Sequence, residues 1–138
     1  MLWSPYRKKD IAVIENIQRR FTKMIHGLHN CSYEERLTIL SLPTLEERRR
    51  RNDLIQVFKI WNGIDRIEGS LFKNVSEIHN KNTRRSQRQN FVVQKSRLDI
   101  RKHFFSCRVI NDWNRLPHKT QVAPNIQVFK TELMKVSL

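Results

Sequence analysis

From about Lys8 to Leu28, the apolar residues Ile11, Ile14, Ile17, Phe21, Met24, Ile25 and Leu28 recur at threes and fours. That period draws one apolar stripe down a helix. Lys8, Arg19 and Lys23 fall opposite the stripe, on what the pattern makes the outer face of this helix. Gly27 and Asn30 supply a stop, and Ser32 with Glu35 three residues on matches a capping box that restarts a short helix through about Leu40, broken by Leu42-Pro43. Thr44, with Glu47 three residues later, offers the cap of a third helix that runs through Trp61 and ends at Asn62-Gly63. Leu54, Val57, Phe58 and Trp61 share one side of it. Arg48 and Arg49 fall toward the other side, while Arg50 and Arg51 lie nearer the apolar face, within reach of carboxylates such as Glu34, Glu35 or Glu47.

The helical period is lost from about Asp65 to Arg97. Lys81 to Gln89, with Arg84, Arg85 and Arg88, is a polar basic run without a core residue, and Phe91-Val92-Val93 has the content of a short strand, half of a hairpin. So long an irregular connection points to a binding loop or an insertion. Order returns with a basic amphipathic helix from about Phe104 to Arg115, which carries Arg108 and is stopped by Leu116-Pro117. On it Phe105, Val109, Ile110 and Trp113 can face inward. Pro124-Asn125 then precedes Ile126, Phe129, Leu133 and Val136 at helical spacing. The predicted fold is mainly α, a small bundle of four or five helices with a long basic loop that has room for a short β-hairpin. It divides into an N-terminal helical part over 1–64, a basic variable loop over 65–98 and a C-terminal helical part of the same domain over 99–138.

The 27 lysines and arginines exceed the 13 acidic residues enough to give a net charge of +14. A positive field of that size attracts polyanions, nucleic acid first and an anionic membrane surface second. Cys31 and Cys107 lie far apart in no paired spacing, as free thiols in a reducing compartment do. With no secretory leader and no run of about 20 apolar residues, an intracellular protein is expected, in nucleus or cytoplasm and without a membrane partner.

Catalytic chemistry finds little support. Two-metal phosphoryl transfer needs carboxylates close together, and Asp10, Asp53, Asp65, Asp99 and Asp112 are scattered with no adjacent pair. Gly27, Gly63 and Gly69 are isolated, so no phosphate-cradling loop forms. His26, His29 and Cys31 lack a fourth partner for zinc, and no nucleophile elbow marks a hydrolase. What remains is a set of cations suited to backbone phosphates: Lys8, Arg19 and Lys23 on the first helix, Arg48 and Arg49 on the third, and Arg84, Arg85, Arg88, Lys95 and Arg97 along the loop. Phe104, Phe105, Trp113 and Trp61 have the spacing of core residues more than of a base-stacking platform.

Taken in order, Trp3-Ser4-Pro5-Tyr6, Ile14-Glu15, Gln18-Arg19-Arg20-Phe21-Thr22, Ser32-Tyr33-Glu34-Glu35-Arg36-Leu37, Leu42-Pro43-Thr44-Leu45-Glu46, Arg48-Arg49, Asp53-Leu54-Ile55, Lys59-Ile60, Asn62-Gly63, Phe104 to Pro117 and Phe129-Lys130 form a series of short motifs. The series resembles the C-terminal region of jockey-like non-LTR retrotransposon reverse transcriptases, over nearly the whole chain except about 67–97. The resemblance implies a thumb-like 1–64 segment and a tail of an RNA-directed DNA polymerase. The catalytic palm of that family, with its metal-binding aspartates, lies upstream of the segment corresponding to Met1. It therefore implies a chain that is not an enzyme by itself, holds no cofactor, and contacts RNA, DNA or an RNA-DNA hybrid beside the palm and fingers of the parent polymerase. Trp3, Pro5 and Tyr6 would then be apolar surface at the edge toward the palm. The competing expectation is a helical protein-protein interaction module without nucleic-acid function, in which charge only steers association.

Overall fold

The computed structural model of the chain describes residues 4–67, 71–78 and 89–136, and these are mainly helical, as the hydrophobic pattern predicts. The helices are α1 Lys8–Lys23, α2 Tyr33–Ile39, α3 Leu45–Trp61, α4 Val75–Ile78, α5 Asp99–Lys102, α6 Phe105–Arg115, α7 His118–Gln121 and α8 Ile126–Met134. Helices α4, α5 and α7 are single turns of four residues, which leaves α1, α2, α3, α6 and α8 as the longer elements. Packing divides the chain into two compact units, Ser4–Arg50 and Arg51–Leu138, with the boundary inside α3.

In the Ser4–Arg50 unit, α1 ends at Lys23, earlier than its apolar period predicts, and Gly27 follows with a φ of +82°. Its orientation also differs from the expected one. The side that meets α2 and the start of α3 carries Glu15, Gln18, Arg19 and Thr22, while Val13, Ile17, Phe21, Met24 and Ile25 are exposed. Polar partners supplied across the unit explain the inversion. The Glu15 carboxylate accepts from the Leu45 N–H at 3.0 Å, at the open N-terminus of α3. The buried Arg36 guanidinium donates to the Thr22 hydroxyl at 3.1 Å and to the Arg19 carbonyl at 3.4 Å, in the last turns of α1. Apolar side chains could satisfy none of these groups.

Local caps behave as predicted. Ser32 and Glu35 form a reciprocal capping box, with Glu35 N–H donating to the Ser32 hydroxyl at 3.2 Å and Ser32 N–H to the Glu35 carboxylate at 2.7 Å. The Thr44 hydroxyl accepts from Glu47 N–H at 3.1 Å and caps α3. Helix α2 closes through Leu42 N–H to Leu37 C=O at 2.9 Å and Ser41 N–H to Thr38 C=O at 3.1 Å. This is the bond pair of a Schellman motif, with Ser41 held at a φ of +52° where glycine is usual. Helix α3 ends in the same motif with Gly63 at a φ of +68°. Of the three edge residues expected to be apolar surface, Tyr6 is exposed, Pro5 is buried, and Trp3 lies outside the described residues.

The Arg51–Leu138 unit holds the hydrophobic core. Leu54, Val57 and Phe58 of α3 meet Phe105, Val109, Ile110 and Trp113 of α6 and Phe129 and Leu133 of α8, as their spacing predicts. The rings form a series: Phe58 on Phe129 at 4.4 Å, Phe129 on Trp113 at 5.9 Å, Trp113 on Phe91 at 5.4 Å and Phe91 on Phe72 at 4.8 Å. Each such buried ring contributes about 1.5–3 kcal/mol of transfer free energy, and offset pairs add about 0.5–1.5 kcal/mol. Phe104 departs from the core role expected of it; it stands just outside α6 as its N-cap and is exposed.

The strand predicted at Phe91–Val93 is reduced to one antiparallel bridge between Asn74 and Phe91, with Val75 N–H to Asn90 C=O and Val92 N–H to Lys73 C=O both at 2.9 Å. Pairing of a further strand is blocked on the second edge by a side chain. The Asn114 amide accepts from Phe91 N–H at 2.8 Å and donates to Phe91 C=O at 2.9 Å, occupying the two bonds a neighbouring strand would make. Trp113 Nε1 donates to Gln89 C=O at 2.6 Å, and buried Gln121 donates to the Asn90 side chain at 3.3 Å. Residues 89–92 are thus fastened to α6 from one side and to 73–75 from the other.

Candidate nucleic-acid interface

The ten cations singled out from the sequence fall into three groups. Lys8 and Lys23 begin and end α1, and both are exposed. Arg19 is exposed as well, with its guanidinium 4.6 Å from the centre of the Tyr33 ring. Lys8 and Arg19 line one cleft of about 540 Å³ with Ile11, Asn16 and two carboxylates, Glu15 and Glu46. Two cations facing two carboxylates leave little net field there, and Lys23 is not part of the lining. These three residues therefore do not make one continuous electropositive track.

The same cleft borders the polar network of the unit. The Tyr33 hydroxyl donates to Glu15 and accepts from Gln18 at 3.3 Å, while Gln18 also donates to the Pro43 carbonyl at 2.9 Å. Burial, reinforced by the Glu15 carboxylate, pushes the Tyr33 phenol up to about 12. Glu15 is thus engaged by Tyr33 and by the α3 N-terminus, which leaves its carboxylate committed to structure.

Arg48 is exposed on α3. Arg49 is half-buried, and its Nη2 finds no hydrogen-bond partner among the described residues. The pair expected to point outward together is thereby split between two environments. Arg84, Arg85 and Arg88 lie outside the described residues. Lys95 and Arg97 are both exposed, on the irregular run that follows the Phe91 bridge.

Lys73 and Arg101 are two further exposed cations. Lys73 carries the carbonyl that bonds Val92, and Arg101 lies on α5. Lys102 beside it is paired with Asp99 at 2.7 Å, which holds the Asp99 carboxyl below the usual carboxylate range. The chain order Lys95, Arg97, Arg101, Lys102 carried a signal for this stretch, four basic residues within eight positions.

Arg108 lies on the helix whose basic amphipathic character was evident in the sequence, but it faces inward. Its Nε and Nη2 donate to the two oxygens of buried Asp53 at 2.9 and 3.0 Å, and Nη1 donates to the His103 carbonyl at 3.0 Å. Arg36 and Arg108 are structural cations.

Among the described residues no group of three His, Cys, Asp or Glu side chains could hold a metal ion, and no helix is long and apolar enough to cross a membrane. Cys31 and Cys107 are free thiols, both half-buried. A second cleft of about 420 Å³ is lined by Trp61, Leu71, Phe72, Asp65 and Arg66, and its Asp65 is engaged by Gln56 at 2.8 Å. No family model, curated protein or solved structure matches the chain.

Proposed function

We propose that this chain is a non-catalytic C-terminal segment of a non-LTR retrotransposon RNA-directed DNA polymerase, and that it grips the phosphate backbone of a template-primer duplex without reading its sequence. The reading rests on the ordered motif series from Trp3-Ser4-Pro5-Tyr6 to Phe129-Lys130. The observation that carries its binding half is the exposure of Lys73, Lys95, Arg97 and Arg101, with Lys73 on the backbone that bonds Val92, on a chain of net charge +14. Exposed cations release condensed counterions when they meet phosphates, and such contacts orient a duplex while carrying no base information. Palm and fingers supplied by the rest of the polymerase would perform the chemistry.

The test is fluorescence anisotropy with a labelled RNA-DNA hybrid at a series of salt concentrations. Affinity is expected to fall steeply with salt. Changing Lys95, Arg97 and Arg101 to Ala should reduce the log-log slope by roughly two to three, and changing Arg84, Arg85 and Arg88 to Ala should act in the same direction. Binding indifferent to salt and to both sets would refute the reading.

A further inference from the structure

Helix α1 turns toward solvent an edge that its own unit does not use. Val13, Ile17, Phe21 and Met24 are 64, 54, 67 and 81% exposed. At 100° per residue they fill a sector about 80° wide. The helix cannot roll this edge inward without breaking the bonds that tie Glu15 to Leu45, Gln18 to Pro43 and Thr22 to Arg36. Exposed Lys9, Arg20 and Lys23 run along one border of the sector, and Asp10 lies within the sector, one turn before Ile14.

We propose that this edge is a docking surface for one amphipathic helix of a protein partner, with an aliphatic seam and acidic residues along the flank that meets Lys9, Arg20 and Lys23. Three properties favour that occupant. The sector is as narrow as a two-helix seam, and Val13, Ile17, Phe21 and Met24 recur at four, four and three along it, as the residues of one helix edge do. A helix lying in a bilayer surface needs a wider apolar face bordered by cations on both sides, whereas here an aspartate sits in the narrow face itself and the three cations lie on one side of it. A second copy of the chain would bring like-charged flanks together on two molecules that each carry +14. Nucleic acid would leave the apolar side chains in water. The inference is independent of the phosphate-binding reading, because none of these apolar residues serves it.

The full-length chain would be titrated against a fluorescein-labelled designed helix with a Leu/Ile seam and glutamates on one flank. Saturable micromolar binding is expected. The double variant Ile17→Ser/Phe21→Ser should weaken it by about tenfold or more, with circular dichroism and hybrid binding unchanged because both side chains are exposed. The triple variant Lys9→Glu/Arg20→Glu/Lys23→Glu should weaken binding of the acidic probe and gain affinity for the same helix with lysines in place of the glutamates. Probe binding that is absent, or unaffected by Ile17→Ser/Phe21→Ser, overturns the proposal. So does a defect of that variant confined to phosphatidylserine-containing vesicles, or confined to self-association in sedimentation.

Discussion

Replacing Asn114 by alanine tests how the segment beside the basic run is held. The Asn114 amide satisfies both the N–H and the C=O of Phe91, whose residue is only 1% exposed. Removing it strands a donor and an acceptor away from water, at about 1–3 kcal/mol each, so Asn114→Ala should cost about 2–4 kcal/mol. That is a large share of the roughly 5–15 kcal/mol typical of a folded domain. Urea denaturation of the full chain would read the loss as a lower midpoint with little change in slope. Native-state amide exchange would locate it, since Phe91 N–H should lose protection while amides in the middle of α1 keep theirs. A cost below about 0.5 kcal/mol with Phe91 still protected would show that water replaces the amide, and the clamp argument would fail. Hybrid binding provides a second readout, because loosening residues 89–92 should weaken affinity without altering a single cation.

Three further outcomes follow from the same structure. Asp53→Asn should destabilise the chain by about 3–5 kcal/mol by leaving Arg108 without its buried counter-charge, whereas Asp53→Leu/Arg108→Leu should cost far less than the two single changes summed; additive costs in denaturant would refute this. The Tyr33 phenol titrates near 12 in the folded chain and near 10 when unfolded, so its contribution is complete below about pH 10 and is lost as pH rises toward 12. The loss amounts to roughly 2–3 kcal/mol, and Tyr33→Phe should remove that part of the alkaline fall in a pH series of unfolding curves. Ser41→Gly should stabilise the chain by about 0.5–1 kcal/mol by relieving a φ of +52°, a rise of a few degrees in Tm; a fall would mean that the Ser41 side chain contributes more than its backbone strain costs.

What the sequence made legible is what is decided within a few residues. Ser32 with Glu35, Thr44 with Glu47 and Gly63 after Trp61 are bonds between near neighbours, and each cap lies where its spacing predicts. The inward faces of α6 and α8 were equally readable, because each packs a conventional apolar stripe against one core. The orientation of α1 was not. It depends on Glu15 meeting Leu45 across 30 residues and Arg36 meeting Thr22 across 14, and no periodicity carries that information. Phe91 misled for a related reason: a β-branched and aromatic triplet looks like a strand, yet its second edge is taken by a side chain 23 residues away.

Counting cations therefore overstates what can meet a phosphate. Of the 27 lysines and arginines, Arg36 and Arg108 are held by internal acceptors, Lys102 and Lys135 pair with Asp99 and Glu132, and Arg19 leans on the Tyr33 ring beside two carboxylates. Breaking such pairs to free a cation would spend part of the binding energy gained, whereas exposed Lys95, Arg97 and Arg101 have no ion pair among the described residues to exchange. The salt slope separates these populations, since only cations that displace counterions contribute to it. Arg108→Met should therefore lower stability while leaving the slope of hybrid binding unchanged under conditions where the variant remains folded. Lys95→Ala should do the reverse. If both changes moved the slope equally, the distinction between structural and phosphate-facing cations would collapse, and the charge of this chain would act only as a diffuse field.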